Sequence, residues 1–98
     1  MSPIRFEWDE RKNRANAKKH GVSFPEARTA FFDENALLIA EPIRPSDEER
    51  FVLLGMSDGL RLVVVSHCYR EADRAIRIIS ARCANKGETR DYEAARSR

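Results

Sequence analysis

The chain has 98 residues, of which 35 % are charged, and its formal net charge is only +2. This length suits one domain with a modest core, so we expect residues 1–98 to form a single domain. The near balance of charge is compatible with a nucleic-acid partner without demonstrating one. No apolar run is long enough for a signal core or a membrane span, so we expect a cytoplasmic protein with no membrane association.

The two cysteines, Cys68 and Cys83, lie in neighbouring predicted strands, toward opposite ends of the expected hairpin. A disulfide between them is unfavourable in that geometry, so we expect reduced thiols. The histidine, cysteine and acidic residues show no metal-ligand spacing, and the glycines form no nucleotide-binding loop. The sequence therefore predicts no metal and no cofactor.

The N-terminal region predicts a strand and a highly charged helix. Residues 4–8 alternate between apolar and polar side chains, which indicates a strand. Asp9 can cap a helix over residues 10–20, and Gly21 can end it. One side of this helix carries Lys12, Asn16, Lys19 and His20. That side is either an ordinary solvated surface or a basic face for RNA or a protein partner.

The remainder of the chain predicts a short helix, four strands and a last helix. Ser23 and Glu26 form a capping-box pattern at the start of a helix that ends near Phe32. The proline-containing segment 41–49 reads as an exposed loop. The strands are expected over residues 36–40, 50–56, 60–68 and 75–84, and the last helix over residues 88–96.

The strand register is expected to gather basic side chains on one face of the sheet. Asp58-Gly59 is a strong signal for a two-residue hairpin turn, which would pair Met56 with Arg61 and Arg50 with His67. The next, longer turn would pair Arg61 with Arg82. The resulting face carries Arg50, Arg61, His67 and Arg82. Facing arginines repel each other, so a carboxylate or an anion is expected between them, although a one-residue slip would exchange the two faces.

Three residues have both a structural and a functional interpretation. Arg82 either forms a salt bridge with Glu88 or Asp91 that holds the last helix or binds a phosphate, and the two roles are compatible. His67 is either a buried structural residue or a general acid or base. Tyr92 either packs on the sheet or stacks on an RNA base.

Two sets of residues, near opposite ends of the chain, resemble the signature of the BrnT toxins. The N-terminal set is Phe6, Glu7, Trp8, Asp9, Lys12, Asn13, Asn16, Lys19, His20, Gly21, Val22, Phe24, Glu26 and Ala27. The C-terminal set is Arg77-Ile-Ile-Ser-Ala-Arg82, followed by Glu88 and Tyr92. The resemblance covers nearly the whole chain.

The resemblance implies an α+β, RelE/ParE-like fold, with a small antiparallel sheet, two N-terminal helices and a C-terminal helix. It implies a type II toxin that halts translation as a metal-independent endoribonuclease. It also implies a ribbon-helix-helix antitoxin, BrnA-like, in a heterotetramer that binds operator DNA through the antitoxin. The alternative is a non-catalytic module that acts on a protein target or only binds antitoxin.

The candidate site follows from the resemblance and the expected register together. The catalytic candidates are Arg82, Glu88 and His67. The candidate RNA-binding residues are Arg61, Arg50, Lys12, Lys19, His20 and Tyr92. In the expected register His67 lies about 20 Å along the strand from Arg61, so the two could not contact one phosphate.

Overall fold

The fold is known from a computed structural model, which describes residues 4–40 and 50–97. Its elements, in chain order, are β1 (Arg5–Glu7), α1 (Glu10–His20), α2 (Phe24–Thr29), a 3₁₀ turn (Ala30–Phe32), β2 (Leu37–Ala40), β3 (Phe51–Met56), β4 (Leu62–Arg70), β5 (Ala75–Cys83) and α3 (Lys86–Arg96). These elements agree with the sequence prediction to within a few residues. The predicted loop over residues 41–49 lies outside the described residues.

The five strands form one sheet in the order β1-β5-β4-β3-β2. β1 runs parallel to β5, and the other neighbours are antiparallel. Helices α1 and α2 cover one face, where Leu53, Val63 and Val65 belong to the main core. Helix α3 covers the other face, where Tyr92 packs against Leu54 and Val64. We call these the α1/α2 face and the α3 face, and the expected α+β architecture is confirmed.

The helix caps follow local sequence signals, with one exception. Asp9 Oδ1 accepts the backbone N–H groups of Arg11 and Lys12 at 2.8 and 3.3 Å, and Gly21 ends α1 with φ +73°. The Ser23 hydroxyl caps α2 by accepting the N–H of Glu26 at 3.2 Å. The reciprocal half of the expected capping box is wrong, because the Glu26 carboxylate binds a distant arginine instead.

Asn16 attaches α1 to the sheet. Its Nδ2 donates to the carbonyls of Val22 and Ala81, both at 2.8 Å, and its Oδ1 accepts the N–H of Ala81 at 3.2 Å. The side-chain amide thus bonds to both backbone groups of one β5 residue, as a neighbouring strand would. Asn16 is buried and does not belong to a solvated basic side of α1.

The β3–β4 turn has three residues, so the expected two-residue turn is wrong. The Ser57 N–H bonds to the Arg61 carbonyl at 2.8 Å, and the Leu60 N–H bonds back to Ser57 at 3.0 Å. Leu60 adopts a positive φ of 60°, which is the left-handed residue of a three-residue hairpin loop. The extra residue moves β4 by one position relative to β3.

This shift and a shorter β4–β5 turn correct the expected register. Phe51, rather than Arg50, pairs with His67, and Arg82 pairs with Val64 rather than with Arg61. The β4–β5 pairing also has a register irregularity next to His67. The predicted face of facing arginines is therefore wrong, because its members are divided between the two faces.

Both cysteines are free, as expected: Cys68 is buried and Cys83 is exposed. They pair with residues at different points of the ladder, Cys68 with Arg77 and Cys83 with Val63. In residues 4–40 and 50–97, none of the helices has the length and apolar character needed to cross a membrane.

We expect Asn16→Ala to lower the free energy of unfolding by about 3 kcal/mol or more, because it leaves up to three buried backbone groups without their partner at roughly 1–3 kcal/mol each. Urea denaturation checks this. Lys18→Ala, on the exposed side of the same helix, is the matched control and should change stability by less than about 0.5 kcal/mol. A loss below about 1 kcal/mol for Asn16→Ala would contradict the attachment role.

Candidate active site

Arg82 and Glu88 form a bidentate ion pair at the junction of β5 and α3. Arg82 Nη1 donates to Glu88 Oε1 and Nη2 to Oε2, both at 2.8 Å. Arg82 Nη1 also reaches the Cys83 carbonyl at 3.3 Å. This planar geometry is the one in which guanidinium groups bind carboxylates and phosphates. Of the two partners predicted for the structural role of Arg82, Glu88 and Asp91, the structure shows Glu88.

The start of α3 fixes the position of the carboxylate. Asn85 Oδ1 accepts the N–H of Glu88 at 2.8 Å, and Glu88 Oε1 accepts the N–H of Asn85 at 2.9 Å. These reciprocal bonds are a capping box, so Glu88 is held by the backbone as well as by Arg82. The Asn-x-x-Glu spacing was a readable signal for it. Asn85 was overlooked as a site residue, because the sequence predicted that the last helix begins only at Glu88.

The ion pair is ionised and partly open to solvent. The hydrogen bonds from Arg82 lower the pKa of the Glu88 carboxyl; burial raises it, and the Asn85 N–H lowers it further. The hydrogen bond to Glu88 likewise raises the pKa of Arg82. The side chains are 45 % and 26 % exposed, respectively. A dissolved anion can therefore reach Arg82 and compete with Glu88.

Two serines lie on the same face as Arg82 and were overlooked in the sequence. Ser66 and Ser80 are directly paired across β4 and β5, and the Val64–Arg82 pair lies two residues further along the ladder. Side chains two residues apart in a strand share a face and are separated by about 7 Å. The α3 face thus carries an arginine, a carboxylate and two hydroxyl groups within a short distance.

No three side chains of His, Cys, Asp or Glu come together as a potential metal site within the part of the chain that the structure describes.

Comparisons with known proteins agree with this fold and identify the family. The sequence model described as "Ribonuclease toxin, BrnT, of type II toxin-antitoxin system" matches residues 8–88. This chain belongs to the BrnT family. Its structure is similar to the 1.1 Å crystal structure of the Brucella abortus ribonuclease toxin BrnT, with a TM-score of 0.60 and 25 % identity over 88 % of this chain and 100 % of that chain. No curated protein matches the sequence.

BrnT family membership confirms the resemblance drawn from the sequence. A ribonuclease toxin of a type II system has endoribonuclease activity, an RNA substrate and an antitoxin partner. The fold of the chain, with its mostly antiparallel five-stranded sheet, is that of the BrnT structure.

Several residues of the N-terminal BrnT signature have architectural contacts. Asn13 Oδ1 accepts the N–H of Phe24 at 2.8 Å, which joins α1 to the first residue of α2. Asn16 attaches α1 to β5, and Gly21 ends α1. These contacts account for the polar residues of a helix that buries little of its surface.

Arg61 lies on the α1/α2 side and is engaged by α2. Its Nε donates to Glu26 Oε2 at 3.0 Å, its Nη2 donates to Glu26 Oε1, and the same Nη2 reaches the Gly21 carbonyl at 2.9 Å. Ser57 adds a hydrogen bond to Glu26 at 2.7 Å. The structure does not bring Arg61 to Arg82, and its guanidinium is occupied by structural partners.

His67 is completely buried, at 0 % exposure. Its ring lies among the rings of Phe31, Phe51 and Tyr69 at centroid distances of 4.8, 6.2 and 5.4 Å. Its Nδ1 lies 3.1 Å from the Val65 carbonyl. The structural interpretation of His67 fits this placement, whereas a role in proton transfer to substrate has no geometric basis here.

The remaining RNA-binding candidates are not gathered around Arg82. Lys12, Lys19 and His20 are exposed on α1, and Arg50 is half-buried just before β3. Tyr92 is only 2 % exposed, so its ring is not available for stacking on a base.

The Tyr92 hydroxyl ties α3 to a loop 59 residues away in sequence, donating to Asp33 Oδ2 at 2.6 Å. Asp33 also accepts the N–H groups of Met56 and Asn35 at 2.8 and 2.9 Å. Burial raises the pKa of the Asp33 carboxyl, but the hydrogen bonds that it accepts outweigh burial and lower that pKa. Burial, together with the bond to the carboxylate, raises the pKa of Tyr92 to about 12.

We expect Tyr92→Phe to lower the free energy of unfolding by about 1.5–3 kcal/mol near pH 7, because a hydrogen bond to a half-buried charged group is lost. Since the folded state raises the pKa of Tyr92, the native chain should also lose stability as pH rises from about 10 through 12. Tyr92→Phe should lack that loss. Urea denaturation at pH 8 and pH 11 measures both effects.

Tyr69→Phe is the control, since no hydrogen bond of its hydroxyl is found among residues 4–40 and 50–97. It should cost less than about 1 kcal/mol at pH 8. Equal losses for the two variants at pH 8 would argue against the Tyr92–Asp33 bond as an anchor of α3.

Proposed function

We propose that this toxin cleaves RNA without a metal, at the Arg82–Glu88 pair, and that this cleavage inhibits translation in the cytoplasm. Residues 1–98 act as one toxin domain. The observation that carries the proposal is the ionised, half-exposed ion pair on the α3 face. It supplies the two functions that cleavage by the ribose 2′-hydroxyl requires, namely stabilisation of charge on the phosphate and acceptance of a proton.

Arg82 binds the scissile phosphate. Its guanidinium already presents two donors in parallel to Glu88 at 2.8 Å, and a phosphate offers the same pair of acceptor oxygens. Negative charge develops on those oxygens as the 2′-oxygen attacks, so the bond to Arg82 strengthens in the transition state. The hydroxyl groups of Ser66 and Ser80 lie on the same face and can contact the sugar-phosphate backbone beside it.

Glu88 accepts the proton of the 2′-hydroxyl. In the free protein the hydrogen bonds from Arg82 lower the pKa of Glu88, which makes it a weak base. When the phosphate takes the donors of Arg82, Glu88 loses that stabilisation and becomes a better proton acceptor. The capping bond with Asn85 keeps the carboxylate in place during this exchange.

The reaction balances with these groups and solvent. The 2′-oxygen forms a bond to phosphorus as its proton passes to Glu88, and the bond from phosphorus to the 5′-oxygen breaks. The leaving 5′-oxygen takes a proton from water. The products are a 2′,3′-cyclic phosphate and a free 5′-hydroxyl, and Glu88 returns its proton to solvent.

We further propose that the antitoxin of this system is a ribbon-helix-helix, BrnA-like protein that binds the toxin as a heterotetramer. The antitoxin would then contact operator DNA, while the toxin supplies the ribonuclease. Membership of a type II toxin family supports an antitoxin partner in general.

We expect Arg82→Ala to reduce cleavage of RNA at least about 100-fold with EDTA present, since one donor group to a developing oxyanion typically contributes 10²–10³ in rate. Arg82→Lys should fall between this variant and the native chain, because lysine keeps the charge and loses the planar fork. Arg74→Ala, in the exposed β4–β5 turn, is the control and should cleave normally. Circular dichroism and thermal unfolding establish that each variant is folded.

If a folded Arg82→Ala protein cleaves at the native rate, Arg82 is not part of the mechanism. If the native protein leaves RNA intact with EDTA present and cleaves it when Mg²⁺ is restored, the metal-independent route is wrong. If it cleaves under neither condition, the alternative of a non-catalytic binding module is favoured.

We expect Glu88→Gln to separate binding from catalysis. The glutamine can still accept the Asn85 N–H, but it no longer neutralises Arg82 or takes up a proton. Hence kcat should fall about 10²–10⁴-fold, whereas KM should fall slightly because Arg82 is free to bind phosphate. An unchanged kcat would remove Glu88 as the base, and a rise in KM would contradict its competition with phosphate.

A further inference from the structure

An apolar groove lies on the α1/α2 face, at the junction of β1 and the 3₁₀ turn. It has a volume of about 430 Å³ and is lined by Ile4, Phe6, Arg28, Phe31, Phe32 and Ile76. We call it the Phe32 groove. Phe32 is 71 % exposed and Ile4 is 54 % exposed, so large apolar side chains stand open to solvent beside one another. An exposed apolar cluster of this kind is typical of a binding surface.

The aromatic rings of the groove form one cluster with a fixed arrangement. Phe6 lies 5.2 Å from Phe31 and 6.0 Å from Phe32, measured between ring centroids. Phe31 and Phe6 also pack against the buried core. The floor of the groove is therefore rigid, and only its rim at Phe32 and Ile4 extends into solvent.

Arg28 supplies a positive charge at the edge of the groove. Its guanidinium carbon lies 5.5 Å from the Phe6 ring centroid and 5.9 Å from that of Phe32. The neighbouring Arg5 is paired with Glu71, whereas Arg28 makes no ion pair among residues 4–40 and 50–97. Contact with two rings holds the guanidinium in place at the edge of the groove, with donors still available.

This combination favours a protein segment rather than RNA. Arg28 is the one charged residue among the six that line the groove, whereas nucleic-acid binding depends on several cations that neutralise phosphates. Aromatic side chains with an arginine are typical of the energetically dominant residues of protein interfaces. The complementary segment presents large apolar side chains and an Asp or Glu next to Arg28.

We propose that the Phe32 groove is the docking site of an acidic, apolar segment of the antitoxin. This rests on the proposed function only insofar as that function includes an antitoxin. The groove lies on the opposite face of the sheet from Arg82, so its occupation is separable from the chemistry of RNA cleavage.

The test uses the full-length toxin and the purified antitoxin of its own type II pair, with binding measured by isothermal titration calorimetry. Phe32→Ala and Arg28→Glu should each weaken binding at least 10-fold. Leu60→Ala, an exposed apolar residue in the β3–β4 turn, and Arg14→Glu, an exposed arginine of α1, are the matched controls. They should change the Kd less than 3-fold.

RNA cleavage by the same variants distinguishes the possible failures. We expect Phe32→Ala and Arg28→Glu to cleave RNA at the native rate. If both folded variants bind the antitoxin with unchanged affinity, the proposal is wrong. If they also lose RNA cleavage, the groove is an RNA-binding surface instead. If the native toxin does not bind this antitoxin, the antitoxin is not its partner and the proposal is wrong. Inactivity of the native toxin toward RNA would refute the ribonuclease proposal and leave the binding result valid.

Discussion

The side-chain amide of Asn16 is the contact on which the arrangement of this fold depends. It bonds to both backbone groups of Ala81 and to the Val22 carbonyl, so one residue fixes α1, the connection from α1 to α2 and the edge of β5 together. β1 covers only the first part of that edge, opposite Ala75–Arg77, and Asn16 bonds to the edge further along. The residue after Ala81 is Arg82. Because strand side chains alternate, fixing Ala81 against α1 directs Arg82 to the opposite face.

The three-residue β3–β4 turn then gives the two arginines different roles. Arg61 binds the Glu26 carboxylate and the Gly21 carbonyl, and it holds the turn against α2. Arg82 binds a single carboxylate beside solvent. The first cluster has several hydrogen-bond partners, whereas in the proposed mechanism the second exchanges its carboxylate for a phosphate. The separation of the arginines also removes the repulsion that a shared face would have created.

The parts of the fold that were predicted correctly depend on residues close together in the sequence. The helix caps at Asp9, Gly21 and Ser23 involve backbone groups only a few residues away. The Arg82–Glu88 pair spans only six positions. Register was not predictable in the same way, because Asp58-Gly59 fits two- and three-residue loops alike, and the choice of Leu60 as the left-handed residue depends on contacts made after folding. The Tyr92–Asp33 bond joins residues 59 apart, and nothing local marks the two as partners. The burial of His67 follows from the corrected register.

The two sites proposed for this toxin lie on opposite faces of the sheet. The ion pair at the start of α3 lies on one face, and the Phe32 groove lies on the other, beside β1. A partner held in the groove does not by that contact alone cover Arg82. To block the proposed active site it must continue around the β1 edge, or across the ends of the strands, and reach the α3 face with a second segment. Such a segment would compete best if it carried a carboxylate, because Arg82 already binds one in the free protein and a second can replace Glu88 without changing the geometry. One extended antitoxin chain with two acidic contacts, at Arg28 and at Arg82, would therefore both anchor itself and inhibit the toxin. Because the two contacts are linked, each would raise the effective concentration of the other and so the overall affinity.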